Sequence, residues 1–224
     1  MFKFDNLGKY PEISHFVTDR EIEEVTLRNG QEKLAKELDI ETKQVVFIKQ
    51  RHGSVVIEAK IGNLQEGDAL VTNKTDLCLA VRVADCVPIL LFDTTNKIVA
   101  SIHAGWRGSV KEIVVNTLKY MQDKYMVNPG DVIAGIGPSI GPCCFEVKEH
   151  VASQFKDSYV SWFTHKMGRT IDLWRVNYDQ LIKGGVQKKN IEIANICTKC
   201  NLDKYFSYRA TGEASSFACG IMLL

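Results

Sequence analysis

Apolar residues recur along this chain with two different periods, and the switches between them delimit its elements. Thr18-Asp19-Arg20-Glu21 fits a capping box, and Ile22, Val25, Leu34, Ala35 and Leu38 follow at helical spacing with Gly30 as a weak point. This predicts a helix, or a broken one, over about 19–38. Short β-branched runs come next. Val45–Ile48, Val55–Ile57, Ala69–Val71, Leu77–Val83, Val87–Phe92 and Ile98–Ile102 read as strands, with Asp93–Lys97 as a turn. After Ile102 the period becomes helical again. Val110, Ile113, Val114, Thr117, Leu118 and Met121 share one face, and Ser109 is placed to cap it. A strand at Val132–Ile136, helices over about 148–155 and 176–182, and late strands at Ile191–Ile196, Tyr205–Tyr208 and Phe217–Met222 complete the pattern. Runs of strands broken by a few helices favour an α+β fold of mixed sheets over a doubly wound one. No repeat, low-complexity tract or Pro/Ser-rich linker divides the chain, so one domain is expected over residues 1–224.

Composition narrows the function. With 45% apolar and 25% charged residues the chain is globular, and 28 basic against 27 acidic side chains leave +1. No global field draws it to nucleic acid or an anionic membrane, so the expected partner is a small, locally recognised molecule. The first residues, Met-Phe-Lys-Phe-Asp, contain no apolar h-region, and the longest apolar run, Val87–Phe92, is far short of a bilayer span. A cytoplasmic protein is expected. Its seven cysteines, an odd number, should then be thiols, thiolates or metal ligands rather than a disulfide framework.

Four clusters could carry chemistry. His52, Cys86 and His103 each stand at a strand edge beside a glycine or a turn. Two imidazoles and a thiolate suit zinc, and three protein ligands leave an open position able to activate water or polarise an oxygen. The same residues also read as a nucleophile, Cys86, with His103 or His52 as base and Asp85 or Asp68 as orienter. Gly105-Trp106-Arg107-Gly108-Ser109 leads into a helix, and its backbone N–H groups, Arg107 and Ser109 could hold phosphate; a structural turn over Trp106 is the alternative. Gly135 to Cys144 lacks a Walker lysine and is interrupted by Pro138, which favours a rigid pocket wall, with Cys143 and Cys144 as packed thiols. Cys197-Thr198-Lys199-Cys200 could be half a zinc ribbon or a redox pair, but with no second C-x-x-C and no thioredoxin-like βαβ context before it, structural or packed thiols are expected. Neither His52 nor His103 is followed two residues later by Glu, which excludes the zinc nucleoside deaminase pattern.

Ala84-Asp85-Cys86-Val87-Pro88, His103-Ala104-Gly105-Trp106-Arg107-Gly108, Ile136 to Val147 and Phe206-Ser207-Tyr208-Arg209 together resemble the signatures of the YfiH-like family, also called the laccase-domain or polyphenol oxidoreductase family. The likeness runs from about Gln50 to the C-terminus and takes in Asp68–Thr72. It implies a single domain of mixed sheets similar to the catalytic domain of cytotoxic necrotizing factor. It also implies a metal, zinc with copper as an alternative, on His52, Cys86 and His103. The implied reactions are phosphorolysis of adenosine, inosine and methylthioadenosine and deamination of adenosine, in a monomer or small homo-oligomer, with Arg107, Ser109 and Arg209 as candidates for substrate or phosphate. A cysteine hydrolase acting on cell-wall peptidoglycan and a non-catalytic, metal-stabilised binding protein are the alternatives. The chain departs from the family pattern at His15–Arg20, within a divergent segment 1–40, at Arg51 and at Thr211-Gly212-Glu213. Multicopper oxidase chemistry is not expected, because five histidines with no H-x-H cannot hold a cluster of about four coppers.

Overall fold

A computed structural model describes residues 1–22, 24–26, 28–62, 64–162 and 168–224. The fully apolar runs become the centre of a six-stranded sheet, because strands buried on both faces need no polar alternation. Its order is β12 (Ile191–Ile193), β8 (Val132–Ile136), β6 (Val87–Asp93), β7 (Ile98–Ala104), β4 (Ala69–Thr72), β3 (Val56–Glu58). The sheet is mixed: β12–β8 and β4–β3 are parallel, and the three central pairings are antiparallel. A four-stranded sheet runs β1 (Ile13–Val17), β13 (Phe217–Leu223), β5 (Cys78–Val83), β2 (Val45–Phe47).

The period of two along β6 shows how these sheets stack. Leu90 and Phe92 point into an apolar layer shared with Leu79, Val81, Phe217 and Ile221 of the four-stranded sheet. Ile89 and Leu91 point the other way, onto Ile113, Val114, Leu118 and Leu181. Those residues belong to α3 (Ile113–Tyr125) and α5 (Leu173–Lys183). On the outer face of the smaller sheet, α1 (Gly30–Leu38) buries Leu34 and Ala35 against Phe16, Phe47 and Ala80. The layers are therefore helix, sheet, sheet, helix, in agreement with the α+β expectation of mixed sheets flanked by helices.

Several local expectations are corrected. The helix expected over 19–38 is a 3₁₀ turn at Arg20–Ile22 followed by α1, and Glu23 and Leu27 lie outside the described residues. Thr18 caps nothing; its hydroxyl accepts from the Ala218 N–H at 2.9 Å. Ser109 sits inside α2 (Trp106–Val110), whose N-cap is Gly105, and α3 begins after Glu112 in a left-handed conformation. Tyr205–Tyr208 is not a strand, because the Ser207 side chain accepts from the Ala210 N–H and starts α6 (Tyr208–Thr211). The helix expected over 148–155 is a single turn, α4 (Glu149–Ala152). Strand β1 escaped the pattern because His15 is polar yet buried, its Nε2 accepting from the Phe4 N–H at 2.9 Å. A small sheet of β10 (Val160–Trp162), β11 (Arg169–Ile171) and β9 (Glu146–Val147) was also not foreseen.

Gly220 marks the tightest crossing in the smaller sheet. A Cβ there would lie 2.5 Å from the Phe16 ring and 2.9 Å from the Leu79 carbonyl oxygen, which is backbone and cannot swing away. Gly220→Ala should therefore lower stability by about 1–3 kcal/mol, read from the shift of the urea unfolding midpoint.

Candidate metal centre

The chain crosses from the smaller sheet to the larger one between β5 and β6, and the site forms at that crossing. Cys86 immediately precedes β6, His103 lies near the end of its antiparallel neighbour β7, and Asp68 immediately precedes β4. His52 comes from the loop between β2 and β3 and adopts a left-handed φ of 56°. One ligand atom from each of His52, Cys86 and His103 lies within 4.8 Å of the others. The three grade from exposed His52 through half-buried Cys86 to buried His103, so the cluster opens on one side only.

Asp68 organises this centre. Its fully buried carboxylate accepts from the backbone N–H groups of His52 (2.9 Å) and Gly53 (2.7 Å) and from His103 Nδ1 (2.8 Å). The Arg51 N–H adds a longer contact at 3.3 Å. Burial alone would raise the Asp68 pKa, but the His103 hydrogen bond and these backbone donors hold it below the ordinary carboxylate range. An ionised carboxylate can only accept, so Nδ1 of His103 carries the proton and Nε2 is left facing Cys86. Burial opposes ionisation of both partners, yet their mutual attraction wins: the Cys86 thiol is pulled down by His103 and His52, and His103 is pushed up by Cys86 and Asp68.

The residues fit a metal ion. Two imidazole nitrogens and a readily ionised thiolate converge, one histidine is oriented by a buried carboxylate, and no side chain intrudes at Gly105. A Cβ at Gly105 would lie 3.1 Å from Cys86 Sγ and 3.2 Å from His52 Cδ2, so any larger residue at this turn would press on two of the three candidate ligands.

The cleft outside the centre has a volume of about 270 Å³ and is bordered by Gln50, His52, Arg82, Cys86, His103 and Tyr208. Arg82 was missed in the sequence. It stands in β5 opposite Ala218, and its Nε is buried without a hydrogen-bond partner among the described residues. The signal was a lone arginine in an otherwise apolar strand, which also fits an ordinary solvent-facing position.

The other flagged residues are placed differently. Arg107 is exposed and lies over the Trp106 ring at 4.3 Å. Ser109 is buried and bonded to Asn177, whose Nδ2 donates to its hydroxyl at 3.0 Å, so that hydroxyl faces α5. Arg209 donates its backbone N–H to Asp85 Oδ2 at 2.6 Å, while its guanidinium donates to the Glu146 carbonyl. Neither Arg107, Ser109 nor Arg209 borders the cleft beside Cys86. Asp85, at φ 85°, is braced on its other side by the Thr198 hydroxyl at 2.7 Å. Cys143 and Cys144, expected as packed thiols, meet Cys197 and Cys200 in one cluster in which only Cys197 is buried.

This architecture has close parallels. The family described as multi-copper polyphenol oxidoreductase laccase matches residues 13–224. The chain belongs to this family. It is 33% identical to a protein of Bacteroides thetaiotaomicron named purine nucleoside phosphorylase, over 100% of this chain and 96% of that one. A purine nucleoside phosphorylase of Clostridium acetobutylicum is 34% identical over 77% of this chain and 74% of its own. The crystal structure of YlmD from Geobacillus stearothermophilus superposes with a TM-score of 0.88 at 25% identity, covering 96% and 93% of the two chains. The laccase-family match thus begins at the first residue of β1, inside the segment whose sequence departs most from the expected motifs.

Asp68→Asn should weaken metal binding by roughly 10- to 100-fold, because an amide no longer satisfies all the donors facing it and His103 loses its orienting partner. Titration with cobalt(II), followed by its visible absorption, checks this.

Proposed function

We propose that the protein is a zinc-dependent purine nucleoside phosphorylase that also deaminates adenosine. The observation that carries this reading is the one-sided cluster of His52, Cys86 and His103 opening into a cleft bordered by Arg82. The relatives named purine nucleoside phosphorylase support the same substrate class. Zinc bound there would supply Lewis-acid polarisation of an oxygen on substrate or water.

The chain's own residues supply recognition and order. Arg82 brings a guanidinium to the border of the cleft, where its charge would attract a phosphate for attack on the ribose C1′. As the C1′–O bond forms, the C1′–N9 bond breaks and the purine leaves with the electron pair, taking up a proton. Tyr208, a residue 59% exposed, stands on the cleft wall and offers a surface on which a purine can stack. Asp68 holds His103 in one tautomer throughout. Arg107 and Arg209 remain candidates for substrate contact from outside the cleft, and Ser109 would act through the turn that it ties to Asn177. Five histidines, one of them His15, buried and bonded to the Phe4 N–H, cannot furnish a multicopper cluster, so the family's descriptive name does not extend to that chemistry here.

A second reading rests on the Cys86–His103–Asp68 series. A thiol lowered by a neighbouring imidazole, itself oriented by a carboxylate, is the arrangement of a cysteine nucleophile. Product analysis separates the two. Inosine with phosphate should yield hypoxanthine and ribose 1-phosphate, adenosine with water should yield inosine, and Cys86→Ala should abolish both together with metal at this centre. Full turnover by metal-free Cys86→Ala would defeat the phosphorylase proposal, and a covalent acyl adduct on Cys86 in active, chelator-treated protein would favour the hydrolase. Arg82→Ala should remove a charge-assisted contact of about 1.5–3 kcal/mol, seen as a roughly 10- to 100-fold fall in kcat/KM for phosphate.

A further inference from the structure

The two cysteine motifs that the reaction does not use meet on the far side of Asp85. Cys143 and Cys144 lie in the loop after β8, and Cys197 and Cys200 lie in the loop after β12. These strands are parallel neighbours, so their C-terminal loops emerge side by side. The loops are stitched by a bridge between Ser139 and Cys197, with Ser139 N–H donating to Ile196 O and Thr198 N–H donating to Ser139 O. One sulfur from each of the four cysteines then lies within 4.8 Å of every other, with Cys143–Cys200 at 3.7 Å and Cys144–Cys200 at 3.4 Å.

Those separations select among the chemistries open to clustered thiols. A disulfide needs about 2.05 Å between sulfurs, and no pair is that close. A tetrahedral ion with arms of about 2.3 Å places its four sulfurs about 3.8 Å apart, close to the spacing seen. The Cys197 sulfur also accepts from the Gly141 backbone N–H at 3.3 Å. Backbone donors of this kind orient a thiolate and offset its charge, leaving lone pairs for a cation. All four coordination positions come from the chain, so the site is closed and structural.

We infer that Cys143, Cys144, Cys197 and Cys200 bind a second zinc ion as a tetrathiolate, separate from the ion proposed at His52, Cys86 and His103. The clamp acts on the first centre through Asp85. The loop bearing Cys143 donates Ile140 N–H to the Asp85 carbonyl at 2.9 Å, and the loop bearing Cys197 supplies the Thr198 hydroxyl to its carboxylate. Joining the two loops through one ion holds Asp85 in its left-handed conformation and so sets where Cys86 begins β6.

The test is a metal count by native mass spectrometry and elemental analysis on full-length protein purified under reducing conditions. Two zinc ions per chain are expected, with Cys197→Ser/Cys200→Ser losing one and Cys86→Ala losing the other. If the double variant does not fold, cobalt-substituted wild-type protein replaces it and should show sulfur-to-cobalt charge transfer of a four-thiolate site that survives in Cys86→Ala. Zinc release should follow mercurial titration of these four thiols, and the double variant should melt at a lower temperature. A double variant that keeps the wild-type zinc count would overturn the inference. So would iron in place of zinc, a Cys144–Cys200 disulfide with no second ion, or a cobalt spectrum that disappears entirely in Cys86→Ala. Because Cys86→Ala empties only the first centre, failure of the phosphorylase reading leaves this result distinguishable.

Discussion

The buried carboxylate of Asp68 is the interaction on which the arrangement turns. Removing a carboxylate from water costs several kcal/mol, and the chain offsets that cost by aiming two close backbone N–H groups and the His103 ring at its two oxygens. The loop through His52 turns through a left-handed residue, and the N–H groups of His52 and Gly53 both reach this one carboxylate. A single side chain at the start of β4 therefore positions two of the three candidate ligands, and His103 N–H closes the arrangement by donating to the Asp68 carbonyl at 2.7 Å.

The third ligand depends on a second acid. Asp85 plays for Cys86 the part that Asp68 plays for the histidines, but its donors come from distant segments, around Ile140, Thr198 and Arg209. Ile140 and Thr198 lie in the loops that follow β8 and β12, the same loops that carry the four clustered cysteines, and Arg209 lies in α6. One acid thus uses local backbone and the other long-range loops. The centre is rigid on its buried side, where His103 is held between sheet and carboxylate, and open toward exposed His52 and the cleft.

Much of the β framework was legible because strands buried on both faces write themselves as uninterrupted apolar runs. Strands β6, β7 and β8 follow that rule, and the α+β class and the family resemblance both stand. Strand β1 was illegible because its buried His15 satisfies a backbone donor from another segment, a role no local pattern reveals. Tyr205–Tyr208 misled in the opposite sense: three aromatic residues suggested a strand, while the Ser207 cap started a helical turn. For the site, ligand chemistry picked His52, Cys86 and His103, and they do lie together. Ser109 was expected as a cap and phosphate ligand and is instead buried against Asn177, whereas Arg82, which borders the cleft, was not singled out.

Sequence by itself determined what kinds of atoms the chain could bring to a reaction: two imidazoles, thiols, a glycine turn and the strands to carry them. Which of those atoms meet was decided by tertiary structure. Strand pairing joins residues more than thirty positions apart, and the antiparallel register of β6 and β7 brings Cys86 to His103. The adjacency of β8 and β12 collects four cysteines from two unrelated motifs into one cluster. Spacing along a chain carries no such information, because contacts between non-local strands are set by register and layer stacking rather than by neighbours in sequence.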